Sequence, residues 1–345
     1  MLSPLFRTLL ATLALFVVAP ASHGQEEALV ENLRYKSIKE WNIRLAKEMW
    51  EEIGDEISIP HQNATGFVVR NTPNTLSIDT DGNGNPDKDI KGLGGLVLLR
   101  GKDENGERFD YAVRIRKSGE SWDFASSGVR TCKIAGENIT IFDTNNNNIW
   151  NEIGVDGMMV GKTKGASLLS SVVNLKGVLY TVAIPENGES IQVNRFSGDT
   201  GTLSVRSGYE SKGTLETAIF KSQYGEIAFD LAQHKDGLIV PVGDYRLEAG
   251  FVSKRNEGVS IRKGKMRAFP VTKSGVTAIE WGGPLVMEFD CNPSDNEEEV
   301  IVSIPRFKGK AGEAYVNFTP NDISPSILVK DQKGRKIWSG KFCMT

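Results

Sequence analysis

Three histidines, three cysteines and no long apolar run beyond the first residues leave several classes of function without material in this 345-residue chain. His23 falls in a leader segment, and His61 and His234 stand apart from any cluster of ligand-type residues. A multi-histidine zinc site or a histidine-activated nucleophile is therefore not expected, and the two remaining histidines read as structural loop residues. Cys132, Cys291 and Cys343 are odd in number, so at least one thiol stays unpaired within the chain. One bridge between Cys291 and Cys343, or three reduced thiols, are both open arrangements. Lys and Arg number 41 against 44 Asp and Glu, a formal charge of -3 that offers no bulk attraction to nucleic acid or to an anionic membrane. After the leader, no stretch approaches the roughly 20 apolar residues of a spanning helix, so no transmembrane segment is expected. The Gly-x-Ser-x-Gly elbow, the His-Glu-x-x-His helix and the Gly-x-x-x-x-Gly-Lys phosphate loop are all missing.

What is present begins with an export signal over residues 1–24. Arg7 supplies the positive start, residues 9–18 the apolar core, and small residues up to Gly24 the cleavage site. The mature protein is expected to be secreted, periplasmic or at the cell surface. With 39% hydrophobic and 25% charged residues, the remainder can bury a substantial core.

Ser37 and Glu40 form a capping-box pair, Ile38, Trp41, Leu45 and Met49 fall at helical spacing, and Gly54 follows; together they predict one amphipathic helix over residues 38–53. From residue 56 the period becomes that of strands. Short runs at 66–70, 75–78, 95–100, 108–116, 129–134 and 137–142 are separated by Gly, Asn, Asp and Lys. The expected fold is mainly β, with antiparallel sheets or sandwich-like domains, one N-terminal helix and calcium-type loops. Its expected parts are a helical segment (25–58), a β region with the two loops (59–161), a sandwich-like region (162–265) and an immunoglobulin-like region (266–345).

The chemistry that spacing reveals directly lies in two loops. Asp79, Asp81 and Asn83 alternate, Gly84 follows, and Asn85 and Asp87 continue the series. This matches the calcium loop of an EF-hand in its first, third, fifth, sixth and ninth places, because a hard divalent cation needs six to eight oxygens and a tight turn aims alternate residues inward. A weaker repeat offers Asp143, Asn145 and Asn147, the Ile149 carbonyl at the backbone place, and Glu152 or Asp156 to close the shell. Neither loop has the bidentate Glu at its twelfth place, where Ile90 and Gly154 stand, and neither lies between two amphipathic helices. The loops therefore read as calcium cages set into a β-protein, with ordinary turn formation as the alternative, since Asp, Asn and Gly also build turns. Charge count ranks the first loop above the second.

Further along, Pro241, Gly243, Tyr245 and Leu247 form a Pro-x-Gly-x-Tyr-x-Leu phrase similar to that of prealbumin-like and carboxypeptidase-regulatory-like sandwiches. Together with the leader, the loop at Asp79, the phrase over 142–161 and the strand-rich tail, it resembles a set of secreted planctomycete proteins. Those carry EF-hand-like or thrombospondin-like calcium loops on a β-rich body. The resemblance covers most of the mature chain and implies calcium loops, a β fold and export, without naming an activity.

The leading expectation is a non-enzymatic, exported Ca2+-binding protein of structural or adhesive type, meeting cell-surface or matrix components. The alternative is an exported glycosidase-like hydrolase whose carboxylates converge only in three dimensions, since acidic residues are plentiful. Glu297, Glu298 and Glu299 read as a solvated turn, and the six Trp form no platform for sugars.

Overall fold

In the computed structural model, which describes residues 28–62, 64–293, 300–319 and 326–341, alternation of buried and exposed side chains along short strands organises the chain. In Thr75–Ile78, for example, Leu76 and Ile78 are fully buried while Thr75 and Ser77 face outward, the pattern of a strand with one face on a core. The fold is mainly antiparallel β and sandwich-like. Short parallel pairs join Gly165–Leu168 to Arg44–Leu45, Thr200–Ser204 to Val276–Ala278, and Tyr209–Glu210 to Trp281–Gly282. No described residue is helical, so no helix is long and apolar enough to cross a membrane among them. The leader expected over residues 1–24 lies outside the described residues.

One hydrophobic core gathers Leu33, Phe67, Leu99, Tyr111, Trp122 and Trp150 with their neighbours, from residue 33 to residue 193. Around it run the ladder of Gly94–Lys102, Arg108–Ser118 and Ser121–Ser126, and the six-stranded sheet through Gly128–Ile134, Glu137–Phe142, Gly157–Val160 and Gly165–Leu168. A second core gathers Leu203, Phe220, Tyr245, Trp281 and Tyr315. It lies on an eight-stranded sheet centred on Thr214–Ser222 and Gly243–Lys254. The Tyr245 hydroxyl donates to the Pro241 carbonyl at 2.9 Å, so the Pro-x-Gly-x-Tyr phrase closes on itself at the start of its strand.

The helix expected over 38–53 is absent, and this is a correction. The segment is an extended strap whose Trp41, Ile43 and Leu45 pack against Val129, Phe142 and Ala166, while Asn42 and Arg44 are exposed. These apolar residues also satisfy a period of two, and the neighbouring chain supplies partners for the backbone. Ile38, Arg44, Met49 and Ile53 donate their N–H groups to the carbonyls of Ser127, Lys164, Thr144 and Trp122. Trp41 meets Phe142 edge-on at 6.0 Å, and the Arg114 guanidinium lies over its ring at 3.8 Å. Tertiary hydrogen bonds and aromatic packing thus outweigh a modest helix propensity. Met49, assigned to the buried helical stripe, is 49% exposed.

Cys132 is half-buried and Cys291 exposed, and the two are not bonded to each other or to any other described cysteine; Cys343 lies outside the described residues. One glycine is fixed by geometry: Gly94 has φ +136°, and a Cβ there would stand 2.0 Å from the Ile115 carbonyl oxygen across the ladder. Gly94→Ala is expected to destabilise the protein by ~3 kcal/mol, as an overpacked and strained position. Urea denaturation checks it; an unchanged midpoint would show that the two strands can part there without cost.

Candidate metal centre

Both sequence-predicted loops connect antiparallel strands. The first joins Thr75–Ile78 to Lys88–Lys91, and the second joins Glu137–Phe142 to Gly157–Val160. They share one backbone conformation. Gly82 and Gly84 have φ of 72° and 84°, and Asn146 and Asn148 take the equivalent places with φ of 62° and 60°. Asn tolerates the left-handed region better than most residues, which lets the second loop do without glycine. Gly84 N–H donates to Asp79 Oδ2 at 2.7 Å, and Asn148 N–H donates to Asp143 Oδ2 at 2.7 Å. The fifth residue of each loop then caps the seventh: Asn85 N–H meets Asn83 Oδ1 at 2.8 Å, and Ile149 N–H meets Asn147 Oδ1 at 2.9 Å.

The environments of the two loops differ. In the first, Asp79 is buried and accepts N–H groups from Asp81, Gly82, Asn83 and Gly84, whereas Asp81, Asn83 and Asn85 are exposed. Asp87 turns to the Thr80 N–H at 3.1 Å and hydroxyl at 2.9 Å, and Asp89 takes the Ser77 hydroxyl at 2.7 Å. Two of its carboxylates therefore brace the hairpin.

In the second loop, the buried Asp143 and Asp156 come together with the half-buried Asn145, Asn147 and Glu152. Asp143 Oδ2 also accepts the Tyr111 hydroxyl at 2.7 Å, from the strand below. Glu152 Oε2 receives the amide Nδ2 groups of Asn145 at 2.9 Å and Asn147 at 2.7 Å, and Asp156 Oδ2 receives the Glu152 N–H at 3.0 Å. Two oxygens are left over. Asn145 Oδ1 and Asp156 Oδ1 are buried with no hydrogen-bond partner. Burial pushes the Asp143 carboxyl up to about 6, and the bonds from Tyr111 and the loop amides only partly offset it. Burial, then the charges of Asp143 and Glu152, push Asp156 up to about 8.

Asn146, which the spacing did not single out, ties this loop to the strap. Its Oδ1 accepts the Ser126 N–H at 2.8 Å, and its Nδ2 donates to the Met49 carbonyl at 3.2 Å and to Glu51 at 3.1 Å. Tyr111 was missed as well, because its partner lies 32 residues away in sequence. Its place in the run of Tyr111, Ala112 and Val113, all buried in one strand, gave no sign of a polar task.

Among the described residues, no three His, Cys, Asp or Glu side chains are grouped so as to hold a metal ion by themselves. A cation in the second loop would rest on mixed ligands, in which neutral Asn and carbonyl oxygens supplement Asp143 and Asp156, a donor set suited to calcium. The two orphaned buried oxygens fit such an ion.

Away from the loops, a cleft is lined by Glu137, Lys176, Asp230 and His234. Burial, opposed by two backbone N–H groups, accounts for the raised carboxyl of Asp230, and burial alone lowers His234; neither feels a charged neighbour.

No family model, curated protein or solved structure matches the chain.

Proposed function

We propose that this is an exported calcium-binding protein of structural or adhesive type, in which Ca2+ fixes loop connections on β-sheets, with the second loop as its principal site. The observation that carries the reading is the pair of buried, unpartnered oxygens, Asn145 Oδ1 and Asp156 Oδ1, within a loop where the charges of Asp143 and Glu152 act against that of Asp156. A buried oxygen without a partner costs about 1–3 kcal/mol, and like charges forced together cost more. A divalent cation would remove both penalties at once. Asp143, Asn145, Asn147, Asp156 and the Ile149 carbonyl would hold it, with Glu152 as a further ligand or brace. The ion would supply positive charge and cross-linking rather than reactivity. Through Asn146 and Thr144, its hold on the loop would extend to the strap at Met49 and Glu51.

The ranking by charge count is reversed in this reading. The first loop has more carboxylates, but Asp87 and Asp89 are engaged elsewhere, and of its other ligands only Asp79 is buried while Asp81, Asn83 and Asn85 are exposed. Site rigidity is the second lever on calcium affinity, and the buried loop has more of it. Calorimetric titration with calcium is expected to show at least a tenfold loss of affinity in Asp143→Asn and less than threefold in Asp81→Asn. The opposite order would return the principal site to the first loop, and binding unaffected by either change would remove both.

A further inference from the structure

The cleft has a volume of about 520 Å3, within the 300–1,000 Å3 range of small-molecule sites. It lies between the sheet containing Gly157–Val160 and the turn that follows Ala228–Asp230. Met158, Val160, Val173, Phe229, Leu238 and Ile239 give it apolar walls.

Two polar groups in this lining are unfinished. Ser167 is 7% exposed, and its hydroxyl has no hydrogen-bond partner. Asp230 Oδ1 accepts the N–H groups of Ala218 at 2.8 Å and Ala232 at 3.0 Å, but its Oδ2 is buried without a partner. A carboxylate oxygen taken out of water normally has a hydrogen bond or a counter-charge, and Asp230 has no cation near enough to shift it. Of the ionisable groups in the lining, Glu137 and Asp230 are negative and Lys176 positive, while burial favours the neutral form of His234. The cleft thus carries one excess negative charge. A bare divalent ion does not suit it, because such an ion needs six to eight oxygens and most of the lining is hydrocarbon. What is missing is a donor that is positively charged and attached to an apolar body.

We propose that this cleft binds a small organic ammonium ion, its N–H groups meeting Asp230 and the Ser167 hydroxyl and its hydrocarbon part lying along Met158, Val160 and Leu238. The site is distinct from the loops, although Met158 and Val160 lie on the strand that the second loop enters.

The test uses the mature full-length protein at pH 7.5 and three matched probes: 4-phenylbutylamine, 4-phenylbutanol and 4-phenylbutanoate. Calorimetry should show the amine binding at least tenfold tighter than the alcohol, with no binding of the carboxylate. Asp230→Asn should weaken the amine at least tenfold and leave the alcohol within twofold. Ile239 is 41% exposed at the lining, so Ile239→Trp should narrow the cleft without disturbing the core and weaken the amine at least fivefold. Circular dichroism establishes that each variant is folded. If Asp230→Asn does not fold, Ile239→Trp decides. Equal affinity for amine and alcohol, absence of amine binding, or amine binding indifferent to Ile239→Trp would each overturn the proposal.

Discussion

Calcium added to chelator-treated protein is expected to raise the melting temperature by several degrees, and Asp156→Asn is expected to remove most of that gain. An ion that binds only the folded state stabilises it by about 2.7 kcal/mol at a hundred times its dissociation constant. Asp156 is the residue on which this depends most, since it is buried, has one oxygen without a partner, and feels the charges of Asp143 and Glu152. The same substitution should have the opposite sign in chelator. Without calcium, Asn at this position relieves a buried like-charge repulsion, so the variant should melt above the parent protein. Differential scanning fluorimetry of both proteins, with EDTA and with millimolar calcium, reads the four values. A variant that melts lower than the parent in EDTA and gains as much from calcium would show that Asp156 is a hydrogen-bonding brace and not a ligand.

The second large effect is on pH. Asp156 is raised from 3.8 to about 8 and Asp143 from 3.8 to about 6 in the folded protein, burial being the first cause for both. For an acid whose folded pKa is raised, both states hold the proton below the unfolded value, and no penalty applies. As pH climbs toward the folded value, the unfolded state loses its proton more readily, and stability falls. Each pKa unit corresponds to about 1.4 kcal/mol, so Asp156 alone costs on the order of 6 kcal/mol once pH passes about 8. The calcium-free protein should therefore lose stability steadily between about pH 4 and pH 8. Calcium should flatten the decline, because it requires the ionised carboxylates and releases their protons on binding. Urea midpoints across this range, with and without calcium, check the sign. A calcium-free protein that gains stability from pH 4 to pH 8 would mean that the loop carboxylates are stabilised by partners other than a metal.

Both predictions rest on residues that the sequence had already marked. Alternating Asp and Asn side chains fix a loop conformation through contacts two to five residues apart, and such local contacts depend only on order along the chain. The shared backbone of the two loops, with Asn146 and Asn148 in the places of Gly82 and Gly84, follows from that. The β class was legible for the same reason, since a period of two in apolar residues and frequent turn residues are local signals.

Over residues 38–53, Ile38, Trp41, Leu45 and Met49 suit a helix, while Trp41, Ile43 and Leu45 suit a strand. Only the carbonyls of Ser127, Lys164, Thr144 and Trp122 settle between them, and no window of sequence contains both sets of partners. Charge counting favoured the Asp79 loop, because it could not know that Thr80 and Ser77 would occupy Asp87 and Asp89, or that Tyr111 would reach Asp143 from another strand. The cleft beside Asp230 and Ser167 had no sequence signature, since its walls come from strands and turns far apart in the chain. Local hydrogen bonding and periodicity thus determined the loops and the β character of this protein. Burial, which depends on what the rest of the chain brings alongside, decided which oxygens were left without partners.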